Sequence, residues 1–215
     1  MARGIEYGRA GDPAIAAAPT TTTPGMARVL AILDATYGHK EVVPDGDPLG
    51  GLIGTILSQA TSDTNSGRAY RALRAAFPTW RAVLAAPEEA VADAIRSGGL
   101  ANLKARRIRE TLGAILAARG DLHLGFLAAL PLDEARAWLT ALPGVGPKTA
   151  ACVLLFNLGR PALPVDTHVH RVSRRLGLIG SRVSAAAAHG ALQAQLAPAQ
   201  MYGFHINAIT HGRRI

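Results

Sequence analysis

The chain has 215 residues, and its 23 Lys and Arg outnumber 15 Asp and Glu to leave a formal net charge of +8. That excess, with an isoelectric point near 10.5, favours a polyanionic partner, nucleic acid ahead of an acidic membrane surface. A single cysteine, Cys152, excludes a disulfide framework and a cysteine-ligated metal cluster within these residues, and no apolar run approaches the ~18 residues of a membrane span.

Residues 1–25 are rich in Ala, Thr, Pro and Gly, with no continuous apolar stretch behind a basic start. This argues against a secretory signal and predicts a disordered tail. The chain therefore reads as soluble and intracellular: cytoplasmic and, in a bacterium, nucleoid-associated. From residue 26 the apolar residues recur mostly at three- and four-residue spacing, the period of helices. The first predicted helix covers 26–37, with Val29, Leu30, Leu33 and Tyr37 on its apolar face. A loop rich in Gly, Pro and Asp at 43–47 precedes an almost wholly apolar run, 49–57, suited to a core. Helical patterns continue over 64–76, 80–84, 87–96 and 104–118. After a Gly-containing break at 120–125 they resume over 131–142, 148–158, 166–176, 184–196 and 200–211. No run of alternating β-branched residues suggests a strand. The expected architecture is all-α, built of about ten short helices.

The most pointed segment is Leu142-Pro143-Gly144-Val145-Gly146-Pro147-Lys148, between two helical patterns. Gly144 and Gly146 can take positive φ and admit the close approach of another backbone. Pro147 suits the first turn of the next helix, whose free N–H groups suit a phosphate oxygen. Val145 would anchor the turn in the core. Two glycines could also make an ordinary helix connection. The full basic string instead reads as a helix–hairpin–helix, which grips DNA by its backbone through Gly144, Val145 and Gly146, without regard to sequence. Lys148 is then either a counter-charge or a nucleophile. Asp166, after Pro161 and Pro164, starts a helix and can be its N-cap. A carboxylate facing a DNA backbone would repel it, so a catalytic role competes with, and is compatible with, the cap.

These residues carry a resemblance. LPGVGPKTA followed by VDTHVHRVSRRLGL resembles the endonuclease III branch of the helix–hairpin–helix DNA glycosylases. So do Leu57-Ser58-Gln59-Ala60-Thr61-Ser62-Asp63, similar to the segment that enters the DNA stack, Gly99-Leu100 with Lys104-Ala105, and His211-Gly212-Arg213. The similarity runs from about residue 26 onward. It implies two helical lobes with DNA in the cleft between them. Residues 47–160 would form a six-helix lobe with the hairpin at 142–148, and 26–46 plus 161–215 a second lobe. Lys148 matches the catalytic lysine and Asp166 the catalytic aspartate.

The implied chemistry suits those side chains. The damaged base rotates out of the duplex, because its C1′ is unreachable in the stack. Asp166 supports the cationic sugar and helps to deprotonate the amine, and Lys148 attacks C1′ to form a Schiff base. Loss of a C2′ proton then cuts the strand on the 3′ side. Gln59 and Leu100 are candidates for filling the gap left by the nucleotide, although the inserting glutamine of the family can align instead with Ala60. Arg171, Arg174 and Arg175 could hold phosphates or form a solvated helix face; Arg171 is taken as the DNA contact. Lys104, Arg106, Arg107 and Arg109 form a second basic run with the same two readings. His168 and His170, two apart, make a poor metal pair, and Cys152 reads as core packing.

The main branch of the family follows HGR with four cysteines that hold a [4Fe-4S] cluster. This chain ends at Ile215, so a cluster is expected only if the native sequence continues past it. A chain cut short, and inactive for that reason, is a further possibility. The expected function is a bifunctional DNA glycosylase and abasic-site lyase of base excision repair, acting as a monomer on duplex DNA with an oxidised pyrimidine or an abasic site. The rivals are a monofunctional mismatch adenine or thymine glycosylase of the same fold, and a non-catalytic DNA-holding module.

Overall fold

The computed structural model describes residues 22–215; residues 1–21 of the expected tail lie outside the described residues. Among the described residues there are eleven α-helices and no strand, as the apolar spacing predicts. They are α1 (Pro24–Tyr37), α2 (Pro48–Ser58), α3 (Asp63–Ala76), α4 (Trp80–Ala85), α5 (Glu88–Ala94), α6 (Ala101–Arg119), α7 (Leu132–Thr140), α8 (Pro147–Cys152), α9 (Thr167–Arg175), α10 (Ala185–Gln193) and α11 (Met201–Gly212). None is long and apolar enough to cross a membrane. The first helix begins at Pro24, two residues before the predicted start, because proline suits a first helical turn.

Several helix starts are fixed by side chains. Asp47, Ser62, Thr79, Asp166 and Ser184 each accept the N–H of the residue three positions on. Each such cap contributes about 1 kcal/mol. One of them is Asp166, so the cap half of its expected role is present.

Apolar burial divides between two cores. The larger gathers Leu52, Ile53 and Ile56 of α2, Leu73 of α3, Ile108, Leu112 and Ile115 of α6, and Leu139 of α7. The smaller gathers Met26, Leu30 and Leu33 of α1, Val169 of α9, Leu192 of α10 and Phe204 and Ala208 of α11. One rod serves both. Helix α8 runs directly into a π turn, Val153–Asn157, where a single uninterrupted helix was expected. Ala150, Ala151, Val153 and Leu154 of this rod pack in the larger core, and Leu155 in the smaller.

A π turn inserts one residue into a helix and rotates the residues beyond it. Here it brings the Asn157 amide to Asp45, at 2.9 and 3.0 Å, while the Asn157 carbonyl accepts the Gly46 N–H at 3.1 Å. The linker between α1 and α2 is thereby tied to the rod.

Candidate active site

Lys148 owes its place to a locally built turn. Gly144 sits at φ +73°, a region that an L side chain rarely adopts. The Val145 N–H donates to the Leu142 carbonyl at 3.2 Å, and the Val145 side chain is 5% exposed, inserted in the larger core. It serves as the expected anchor. Gly146 differs from expectation: its backbone is extended (φ −92°) and caps α8. A Cβ there would meet nothing within 4 Å, so the fold itself does not require this glycine. From behind, the buried Thr111 hydroxyl donates to the Pro143 carbonyl at 3.0 Å. The aliphatic stem of Arg107 lies against Gly144. Lys148, half-buried, opens the helix after the turn.

Asp166 is placed by residues distant in sequence. The segment 162–165 before it is buried. The His189 Nδ1–H donates to the Leu163 carbonyl and the His205 Nδ1–H to the Pro164 carbonyl, each at 2.9 Å. A carbonyl can only accept, which fixes the tautomer of both rings. Gln193 accepts the Leu163 N–H at 3.2 Å. The carboxylate then accepts the Val169 N–H at 2.7 Å, which orients it at the start of α9. Burial pushes both histidines below their ordinary pKa, His205 to about 4, against the opposing pull of Asp166 on His205.

Amine and carboxylate share one neighbourhood. The charges of both Asp166 and Lys148 act on the buried His205. Both also act on the Cys152 thiol, one turn along α8 from Lys148, which burial pushes up in pKa. Their helices insert in different cores, α8 in the larger and α9 in the smaller, so the pair lies between the two cores.

Other candidates are differently disposed. Gln59 does not project freely: its side-chain oxygen accepts from Arg107 at 3.0 Å, and the exposed tip of that loop is Ala60, at φ +52°. Leu100, also at φ +52°, is 57% exposed, as expected of a wedge. The basic run of α6 is divided among protein partners. Lys104 is buried, Arg106 pairs with Glu88 at 3.5 Å, Arg107 holds Gln59, and Arg109 reaches the Leu84 carbonyl.

Arg171, the expected DNA contact, donates to the Gly212 carbonyl and to His168, because a guanidinium is drawn to an unpaired helix-end carbonyl. Arg174 and Arg175 are exposed at the end of α9. His170 bonds the Val183 carbonyl, and the described residues hold no cluster of three or more metal-ligating side chains. The single thiol, Cys152, is 2% exposed within α8 and does not fit an iron–sulfur cluster.

Two features escaped the sequence. His189 and His205 look like isolated histidines in helical patterns; only their distant carbonyl partners reveal a role. The His211-Gly212-Arg213 string, noticed only as a motif, is a junction. His211 meets the Tyr37 hydroxyl of α1 at 2.9 Å. Gly212 comes so close to α9 that a Cβ would lie 2.9 Å from that of His168. Arg213 pairs with Asp63 of α3 at 2.7 Å and holds its carboxyl below the usual range.

The chain is similar to known proteins along most of its length. Residues 53–197 match the HhH-GPD superfamily of base excision DNA repair proteins. Endonuclease III of Thermotoga maritima is 40% identical over 144 residues, 67% of this chain and 62% of that protein. A protein of Arabidopsis thaliana that bears the name of a DNA glycosylase is 44% identical over 131 residues, 61% of this chain and 45% of its own length. The chain thus spans between 45% and 62% of those two relatives. Among solved structures, a trapped covalent intermediate of endonuclease III with DNA superposes with a TM-score of 0.74 at 31% identity, covering 90% of this chain and 88% of that one.

Proposed function

The chain belongs to the HhH-GPD superfamily of base excision DNA repair proteins, within its endonuclease III-like branch, and we propose that it is a bifunctional DNA glycosylase and abasic-site lyase. Its substrate is duplex DNA with a damaged base, an oxidised pyrimidine first, or an abasic site. The observation that carries this reading is the pairing of a half-buried lysine, at the start of α8, with a capped, oriented aspartate at the start of α9. A module that only holds DNA could cap α9 equally well with an uncharged Asn or Ser, which would not repel the backbone as a carboxylate does.

The chemistry follows from the two groups. With the nucleotide rotated out of the stack, the bond between C1′ and the base breaks and the departing base takes a proton. The Asp166 carboxylate stabilises the positive charge that develops on the sugar. The Lys148 nitrogen gives up one proton before it bonds to C1′ and a second afterwards, keeping the third, and a proton passes to the ring oxygen as it leaves. The bond from C1′ to the ring oxygen then opens, leaving an iminium. Removal of a C2′ proton expels the 3′ phosphate, and water releases the lysine from the unsaturated sugar. No step calls on a metal or an iron–sulfur cluster. Gly144 and Gly146 suit the approach of a phosphate to the hairpin, and Leu100 and Ala60 suit entry into the stack.

Borohydride reduction tests the covalent step. Wild type incubated with an abasic duplex should yield a stable protein–DNA adduct, and Lys148→Ala none, while still binding the duplex. Excision of a base without any adduct would make the enzyme monofunctional. Loss of binding in Lys148→Ala as deep as its loss of cleavage would reduce the lysine to a phosphate contact.

A further inference from the structure

One lysine of the basic run points inward. Lys104 is 1% exposed, and its ammonium donates to the Leu57 carbonyl at 2.7 Å and to the Gly98 carbonyl at 2.8 Å. Leu57 lies in the last turn of α2, and Gly98 ends the short 3-10 turn Arg96–Gly98. Carbonyls at helix ends lack a partner within their helix and carry partial negative charge. They can therefore receive a buried cation where no carboxylate is at hand.

Both segments run on at once into an exposed tip: Ala60 after Leu57, Leu100 after Gly98. Among the described residues, Ala60 and Leu100 are the two non-glycine positions at positive φ, both at +52°. Such a backbone is strained for a residue with a Cβ and persists only where its surroundings over-determine it. One side chain reaches behind both strained tips. Arg107, one turn further along α6, adds a tie to Gln59 beside the first tip. Leu100 and its neighbour Leu103, 57% and 42% exposed, give the second tip an apolar end with no protein to pack on.

Resting on the DNA-repair reading above, we propose that Lys104 is a positioning residue: its ammonium fixes the Ala60 and Leu100 tips at one separation, so that they enter the duplex together as a two-pronged wedge. A tip free to move alone would part the stack on one side only. The lysine does this without touching DNA or the reacting sugar.

The test uses the full chain with a duplex that carries a non-cleavable tetrahydrofuran abasic analogue opposite 2-aminopurine, whose fluorescence rises when it loses stacking. Wild type should raise the signal on binding, and Lys104→Met should bind yet lose most of that rise. In a second arm, cleavage is timed at a natural abasic site in a duplex and in the same strand unpaired, where no stack has to be parted. Lys104→Met should slow the duplex reaction by about tenfold and keep the single-strand reaction within about twofold. Equal loss on both substrates, or an unchanged fluorescence rise, would overturn the proposal. So would a wild type that binds the duplex and leaves the aminopurine stacked. A wild type that unstacks it but cleaves neither substrate would defeat the lyase reading alone. Should Lys104→Met fail to melt cooperatively, Lys104→Gln passes through the same fluorescence arm, and a response equal to wild type overturns the proposal.

Discussion

The two halves of the candidate active site are held by different means. Around Lys148 the structure is local: a positive-φ glycine, a buried valine and a proline at a helix start, all within the hairpin itself. Around Asp166 it is remote. The buried strand of chain before it is suspended from His189, Gln193 and His205, on helices that come later in the sequence. Around the hairpin, the larger core relies on apolar packing, with Thr111 bracing the turn. The smaller lobe buries uncharged imidazole and amide groups against main-chain carbonyls and N–H groups. A site can thus join one residue fixed by its own turn to another fixed by the tertiary structure. The two should fail differently.

The largest separation of chemistry from fold is expected at Asp166. Asn caps a helix as well as Asp, so Asp166→Asn should leave the melting temperature unchanged. It should lower the single-turnover rate by about 10²–10³-fold, the usual cost of removing one charge that stabilises a transition state. A melting temperature that fell in step with the rate would return Asp166 to a structural role. Next comes His205→Leu, which leaves the Pro164 carbonyl buried without its donor. It should cost about 1–3 kcal/mol in urea denaturation and reduce activity as well, since Asp166 lies two residues beyond that carbonyl. Thr111→Val on the Lys148 side should cost about 1 kcal/mol with little loss of rate. Equal losses of rate in the two variants would erase the contrast between the halves.

Acid should weaken the Asp166 side through its two buried histidines. His205, ordinarily near 6.5, is pushed down to about 4 in the folded protein, and His189 is lowered too. Above pH 6.5 neither state binds the proton, and stability is at its full value. Between 6.5 and about 4 the unfolded chain is protonated while folded His205 is not, so stability should fall by about 1.4 kcal/mol per pH unit from this residue. Below that its contribution is flat. Urea midpoints at pH 7 and pH 5 measure the loss, which His205→Leu should shrink. The smallest effect concerns Gly146→Ala: an extended backbone and open space predict a stability change within about 0.5 kcal/mol. Its affinity for duplex DNA should fall all the same, because the added methyl occupies the approach of a phosphate.

The same division governs what could be read from the sequence. Helical periodicity, the Val145 anchor and the Asp166 cap are local, and the residues announced them. The inward turn of Lys104 in the basic run of α6 was not legible, because charge on a helix gives no sign of which carbonyls lie opposite. Lys104 turned inward to two helix ends, and Arg171 turned to the end of α11. Gln59 was similarly claimed by Arg107. The π turn was invisible because its apolar residues, Val153 to Phe156, fit an ordinary helix as well. What bends it is Asn157 reaching a loop more than a hundred positions earlier.

That rod of α8 and its π turn also decides which molecule must yield when the protein meets DNA. Its residues are embedded in both cores, and the lobes are further spanned by Arg136 to Gln193 and by Arg213 to Asp63. Jaw-like opening would tear all three. On the proposed reading, lobes that stay fixed would leave the double helix to bend towards Lys148, at a cost of order 1–6 kcal/mol for a smooth bend over a short site. Duplexes already weakened by a lesion bend more cheaply.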